Sequence, residues 1–322
     1  MGSSPNPKVE INEMPKYAVA DLRLAATTVA MAEQDVCDRY DGFITPIDGP
    51  AVPGLTFLAN IEVEQAKVGA LMASHDVSLS EKAMLADLTA KTNVFGTITV
   101  DDANHIGIIA FRGTRTVPEW FDDIALSAPV RFEEVDHGTW VHKGFHLIYM
   151  TIRDNMLHQL ELLKDYDRVI ITGHSLGAAV ASLCLLELRG RSDGAKYEGM
   201  TFASPGTFFG KPRKFVESGA KSLRIFNPGD IVPRFPSVVY WHVPGGIKIK
   251  TVLNPKTFHS LKETYIPGTE ELYAQRSAAG QPPDFEVEGD HPVPLLILEE
   301  DIAKAKAAGA EADVEVEPAV IV

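Results

Sequence analysis

The pentad Gly173-His174-Ser175-Leu176-Gly177 closes one apolar run, Val169-Ile170-Ile171-Thr172, and opens another, Ala178 to Leu188. A G-x-S-x-G stretch between a strand and a helix is a tight turn that exposes the serine oxygen. The glycines let strand and helix approach without side-chain clash. The helix N-terminus favours negative charge developing beside it. The chemistry implied is nucleophilic acyl transfer, and the plain alternative is a Gly-rich turn with a capping serine. A serine hydroxyl is a weak nucleophile alone. A base, and a group that orients the base, must lie elsewhere in the chain.

With this kind of turn the chain order is serine, then acid, then histidine. Asp230 lies in Asn227-Pro228-Gly229-Asp230-Ile231-Val232-Pro233-Arg234-Phe235-Pro236, after a strand that ends at Phe226. That is the carboxyl end of a strand, where open α/β sheets carry their sites. The alternative is a turn-forming aspartate. Three histidines follow. His242 sits in the alternating stretch 239–243, so its ring reads as packing. His291 precedes Pro292 near the tail. His259 starts a loop-to-helix stretch, and position favours it without excluding the others. The developing oxyanion needs two donors. One is the N–H of Leu176, the residue after the serine. The other falls to Thr114, where the strand 109–111 runs through Arg112 into Gly113, with a simple strand-terminal turn as the alternative. Val117, Trp120, Phe121 and Ile124 then recur at helical spacing. They read as a mobile flap over the pocket or as a helix packed on the core.

The surrounding pattern must hold these residues in place. Apolar spacing predicts helices over 16–38, 61–74 and 79–91, the last opened by the capping box Ser78 to Glu81. Stretches 94–100 and 106–111 predict a hairpin turning at 101–104. A helix from about 144 to 163 follows. Next come strand 168–172, helix 175–188, strand 199–203, a short helix near 211–219 and strand 222–226. Such alternation predicts a parallel sheet covered on both faces. Residues 238–252 read as a further hairpin around Gly245-Gly246, and 259–266 as a short helix.

The chain has 322 residues, 45% of them hydrophobic and 23% charged, an average globular composition. Its 30 basic and 44 acidic residues give a net charge of −14. That excess disfavours nucleic acid, and it disfavours electrostatic attachment to anionic membranes, though not apolar contact. No C-x-x-C or H-E-x-x-H pattern appears, so neither a metal nor a cofactor is expected. No apolar stretch is long enough for a membrane span. Cys184, in an apolar run, reads as a buried thiol, and Cys37 is the other cysteine. With two cysteines and no charged-then-apolar start, a cytoplasmic protein is expected, or a secreted one if a leader has been removed.

Together these blocks resemble the class 3, or fungal-type, triacylglycerol lipases. Phe111-Arg112-Gly113-Thr114 with Trp120 and Asp123 is similar to that family's oxyanion and lid block. Val141-His142-Lys143-Gly144-Phe145 is similar to the block before the helix that precedes the nucleophile strand. Gly173 to Ala179 matches the elbow, 227–236 the aspartate block, and Tyr240 to Gly245 the block after it. The likeness covers about residues 80–270. It implies an α/β-hydrolase fold, a mostly parallel central sheet with helices on both faces and a lid around 115–125. Residues 1–302 would be one domain, and 303–322 an acidic, flexible tail. It implies Ser175, Asp230 and His259 as the triad, Thr114 and Leu176 as the oxyanion pair, and structural roles for His142, His174 and His242. Many secreted members carry several disulfides, and two cysteines allow at most one here. The activity implied is hydrolysis of acylglycerols, at a lipid–water interface and without a cofactor. A phospholipase A1, or an esterase for small or aromatic acyl groups such as feruloyl, would use the same residues. A non-catalytic lipid-binding or signalling protein is the rival from another class. No protein partner is inferable.

Overall fold

The computed structural model describes residues 17–18, 25, 28–29, 54–89, 92–113, 127–135, 138–236, 239–250, 252–254, 256–278 and 284–285. Seven strands make the central sheet: β1 (Thr56–Glu62), β2 (Val94–Asp101), β3 (Ile106–Phe111), β4 (Arg168–His174), β5 (Tyr197–Phe202), β6 (Lys221–Phe226) and β7 (Gly246–Lys248). Their spatial order is β7-β6-β5-β4-β3-β2-β1, so sequence neighbours are sheet neighbours. The pairs β1–β2 and β2–β3 are antiparallel, and β3 through β7 are all parallel.

Helices α1 (Gln65–Ala73) and α2 (Leu79–Thr89) connect β1 to β2. Parallel neighbours cannot be joined by a tight turn, so longer crossovers follow. They carry α3 (Lys143–Gln159) between β3 and β4, α4 (Leu176–Arg189) between β4 and β5, and the short α5 (Arg213–Glu217) between β5 and β6. The helix α6 (Ile266–Ala278) comes after β7. Because the parallel strands point one way, the segments leaving β4, β6 and β7 emerge at the same edge of the sheet. Ser175, Asp230 and the approach to His259 are therefore on one side before any side chain is considered.

The sheet is apolar on both faces, which is why its strands read as continuous Val and Ile runs. Ile109, Phe111, Val169 and Ile171 face α2, α3 and α4. Ile108, Ala110, Ile170, Phe202 and Ile225 face the other way, onto Ala25, Val29, Leu261 and Tyr265. Helix α4 is buried along nearly its whole length between sheet and α3, so it is apolar all round. Its one carboxylate, Glu187, accepts from Arg153 Nε at 2.9 Å and from the Tyr149 hydroxyl at 2.7 Å. Cys184 on α4 is a buried, unbridged thiol 4.0 Å from the Met156 sulfur, and burial pushes its pKa well up. Such a thiol is packing, not chemistry. Cys37 lies outside the described residues.

The structure departs from the sequence reading in four places. The expected helix 61–74 starts only at Gln65, because Ile61 and Glu62 still pair with β2 in a strand that periodicity did not reveal. The expected hairpin at 238–252 does not form. Tyr240–Trp241 instead pairs with Phe208–Phe209, while Gly246–Lys248 adds to β6 in parallel. A small four-stranded sheet, Pro129–Arg131, Trp140–His142, Phe208–Phe209 and Tyr240–Trp241, was also not anticipated. Of the helix expected over 16–38, Ala25, Thr28 and Val29 are helical, Tyr17–Ala18 is instead a strand paired antiparallel with Asp284–Phe285, and the rest is outside the described residues. The tail 303–322 is outside them as well.

The capping box at α2 forms in both directions. Glu81 N–H donates to Ser78 Oγ at 3.2 Å, and Ser78 N–H donates to Glu81 Oε2 at 2.8 Å. Lys143 Nζ meets the same oxygen at 3.0 Å. Burial alone would raise the Glu81 carboxyl. The Ser78 N–H and the Lys143 ammonium outweigh it and hold the group below the ordinary Glu range. A folded-state pKa that is depressed adds stability above the unfolded value, and the gain is lost as pH falls through the folded value. Glu81→Gln should therefore cost about 1–3 kcal/mol at neutral pH. Urea titrations should show the gap to wild type closing below about pH 4.

Candidate active site

Strand β4 ends at His174 and α4 starts at Leu176, leaving one residue for the turn. Ser175 makes it with φ +56° and ψ −124°. A non-glycine residue there carries strain of about 1–3 kcal/mol. The turn is held shut from both sides. Ser175 N–H donates to Phe202 O on β5 at 3.0 Å, and Ser175 O accepts from Ala178 N–H at 3.0 Å. A Cβ on Gly173 would sit 2.3 Å from Gly177 O, and one on Gly177 would sit 2.4 Å from Phe111 O. Both positions are therefore closed to any side chain. The Ser175 hydroxyl is buried, 1% exposed, and makes no hydrogen bond among the described residues. Leu176, first in α4, has an N–H without an intrahelical acceptor and stands directly after that hydroxyl.

Asp230 follows β6 and is fully buried. Its Oδ1 accepts the Val232 N–H at 2.9 Å. Its Oδ2 meets His259 Nδ1 at 2.7 Å and accepts the Tyr265 hydroxyl at 2.7 Å. A carboxylate accepts only, so His259 donates from Nδ1, and in the neutral ring Nε2 is then the nitrogen that carries the lone pair. The His259 ring lies 4.7 Å, centre to centre, from the ring of His174, the residue before Ser175. The structure thus sets His259 against Asp230 and lays its ring beside that of the residue preceding Ser175.

The family profile for class 3 lipases matches residues 108–240, which span the elbow and the Asp230 loop. This segment is similar to the class 3 lipases. The chain is 31% identical over 161 residues to secreted mono- and diacylglycerol lipase A of Penicillium cyclopium, covering 47% of this chain and 50% of that one. To phospholipase A1-II 1 of Oryza sativa subsp. japonica it is 29% identical over 235 residues, covering 62% and 58%. The chain spans about half the length of such curated relatives. The lipase–propeptide complex of Rhizomucor miehei superposes with a TM-score of 0.51 at 21% identity, covering 80% of this chain and 79% of that one. That likeness gives the fold, an α/β-hydrolase.

Within the matched segment and its flanks, several residues with no role assigned from sequence hold the site. Tyr265 is one. Its hydroxyl accepts the Asn227 N–H at 3.2 Å and donates to Asp230, and burial with the nearby carboxylate pushes its pKa well up, so it stays a donor. It reaches back because 261–265 is a π-turn, in which Tyr265 N–H meets Ser260 O. Asn227 is another. Its Oδ1 accepts from Gly229 and Val252 N–H, and its Nδ2 donates to Val252 O and Phe258 O, each at 2.9–3.0 Å. It therefore ties the aspartate loop to the segment that carries His259. Arg112 fixes the exit of β3, donating from Nε to Val94 O at 2.8 Å, from Nη2 to Leu88 O at 3.0 Å and from Nη1 to Gly113 O at 3.1 Å. Buried polar side chains facing several partners were the signal for these, and sequence shows the residue but not the partners.

The other histidines are used differently. His242 Nε2 lies 2.7 Å from Pro233 O, so the ring pins the turn after Asp230. Burial, with the Arg224 charge beside it, pushes its pKa well below the usual value. His142 is buried with its ring 4.4 Å from Phe145 and 5.0 Å from Tyr240. His291 lies outside the described residues, as do Thr114 and the flap candidates Val117, Trp120, Phe121 and Ile124. No group of three His, Cys, Asp or Glu side chains that could hold a metal ion occurs among the described residues. Nor is any helix among them long and apolar enough to cross a membrane.

Proposed function

We propose that this chain is a serine hydrolase of carboxylic esters, acting on acylglycerols through Ser175, His259 and Asp230. The observation that carries the reading is the 2.7 Å contact from His259 Nδ1 to Asp230, together with a serine held strained at the start of α4. In this reading His259 Nε2 takes the Ser175 proton as the hydroxyl attacks the ester carbonyl. Asp230 holds the ring in the correct tautomer and stabilises the imidazolium. The N–H groups of Leu176 and Thr114 receive the oxyanion. The alcohol leaves with the proton from His259. Water then enters by the same route in reverse and releases the acid. Each step uses side chains and backbone only.

The acylglycerol substrate rests on the names of the fungal relatives. A phospholipase A1 is the second reading, favoured by the rice relative, whose match covers more of the chain. Residues 117–124 are proposed as a flap that opens at a lipid surface. The test is hydrolysis of p-nitrophenyl esters from acetyl to palmitoyl, beside diacylglycerol emulsions and phosphatidylcholine vesicles. A long-chain preference with diacylglycerol turnover is the expected result. Faster acyl release from phosphatidylcholine would install the second reading, and an acetyl optimum would point to a small-ester esterase. A folded protein inactive on all of them would favour a non-catalytic lipid-binding role. The flap predicts a jump in rate above the substrate's solubility limit, and smooth saturation through that limit would remove it.

A further inference from the structure

The net charge of −14 argues against attraction to anionic membranes, but it is an average over the chain. Between Asn227 and Lys262 the only acidic residue is Asp230, which is buried against His259, while Arg234, Lys248, Lys250, Lys256 and Lys262 are basic. All five of these basic residues are exposed. Two large apolar side chains stand out among them in open solvent, Ile231 at 51% and Leu253 at 74% exposure. They belong to one surface. Asn227 ties the 227–232 loop to Val252, a Cβ on Gly229 would lie 3.0 Å from Leu253 Cδ2, and Arg234 Nη2 donates to Pro228 O at 2.7 Å.

This surface also faces the right way. Phe226 and Lys248 are register partners at the carboxyl ends of β6 and β7, so both loops leave the sheet on the side where Ser175 leaves β4. Lys248 lies on the edge strand, where a charge also discourages strand pairing. Lys250 stands 3.7 Å from Glu271, and Glu263 is exposed beside Lys262, so part of the positive field is shared. The remainder lies on the same loops as two exposed apolar side chains, Ile231 and Leu253.

We propose that the 227–234 and 252–262 loops dock the protein on an anionic lipid bilayer, with Ile231 and Leu253 entering the interface and Arg234, Lys256 and Lys262 meeting the headgroups. Apolar insertion plus basic contacts is the chemistry of a reversible interfacial anchor. It is separate from the flap, and it would present Ser175 to the surface that holds the ester. Its functional meaning rests on the ester-hydrolase reading, but the binding itself does not.

The test is co-sedimentation with vesicles of phosphatidylcholine alone and of phosphatidylcholine mixed with phosphatidylglycerol, using Ser175→Ala so that no lipid is consumed. Binding to the anionic vesicles is expected, weakening with salt. Lys256→Glu and Lys262→Glu should each weaken it by about fivefold or more, and Leu253→Asp should weaken it further, each with the melting temperature retained. Leu253→Ser repeats the apolar arm without a new charge. Equal binding to both vesicle types, no binding, or indifference to these substitutions would overturn the proposal. A concentration-dependent dimer abolished by Leu253→Asp would also overturn it, assigning the face to self-association. Anionic binding by a wild type inactive on soluble esters would sink the hydrolase reading alone.

Discussion

Ser175→Ala should lower kcat for a p-nitrophenyl ester by about 10⁴–10⁶-fold, the loss expected when a serine nucleophile is removed. The protein should keep its fold, because the hydroxyl makes no hydrogen bond among the described residues and leaves none to be orphaned. Ser175→Gly separates chemistry from strain. At φ +56° and ψ −124° glycine sits without a Cβ penalty. Relief of about 1–3 kcal/mol is set against about 0.5–1 kcal/mol of extra unfolded-chain entropy. The glycine variant should therefore melt a few degrees above the alanine variant while being equally inactive. Retained activity in Ser175→Ala would end the nucleophile assignment. Equal melting temperatures would show that the elbow stores no strain worth the name.

Asp230→Asn is the second large effect. Oδ2 faces two donors, His259 Nδ1–H and the Tyr265 hydroxyl, and Oδ1 faces a third, the Val232 N–H. An amide has one oxygen and one NH₂, so whichever way it turns, one donor meets another. If NH₂ faces His259, the ring is pushed to the tautomer with Nε2 protonated and can no longer take the serine proton. If NH₂ faces Val232, the turn that holds the loop loses its acceptor. A drop in kcat of about 10⁴-fold is expected, with a stability loss of about 1–3 kcal/mol. Tyr265→Phe removes one donor and leaves the carboxylate, so its effect should stop at about 10–100-fold in kcat. Stopped assays across pH 5–9 with melting curves would measure both. A near-normal rate in Asp230→Asn would mean that the His259 tautomer does not depend on this carboxylate.

Much of this site is local and therefore legible from residues alone. Gly173, Ser175 and Gly177 sit within one turn, and each is demanded by the backbone of that turn. The Val and Ile runs of β3 and β4 report burial on both faces, and the Ser78–Glu81 box closes within its own first turn. Short-range geometry of this sort needs no knowledge of the rest of the chain.

What the sequence left open was decided by partners distant along the chain. Three histidines followed Asp230, and the fold sets His259 against its Oδ2 while His242 turns to Pro233 O. Local pattern describes each ring's neighbours in sequence, not the acceptor it will meet. The Gly245-Gly246 signal suggested a hairpin, but the flanking strands pair instead with β6 and with Phe208–Phe209, because strands pair where hydrogen-bonding edges are open and not where the nearest turn points. Arg112, Asn227 and Tyr265 fall inside or beside the recognised stretches, but nothing in those stretches assigns them a partner. Each became part of the site only when a buried polar group of another segment needed it. The sequence by itself determined the tight turn at Ser175, the strand–helix alternation and the place of Asp230 after a strand end, since these depend on steric and burial demands within a few residues. The tertiary structure alone decided which histidine meets Asp230, which donors support that carboxylate and which exposed loops leave the sheet on the same side as Ser175, since those are contacts between segments that only the packed sheet brings together.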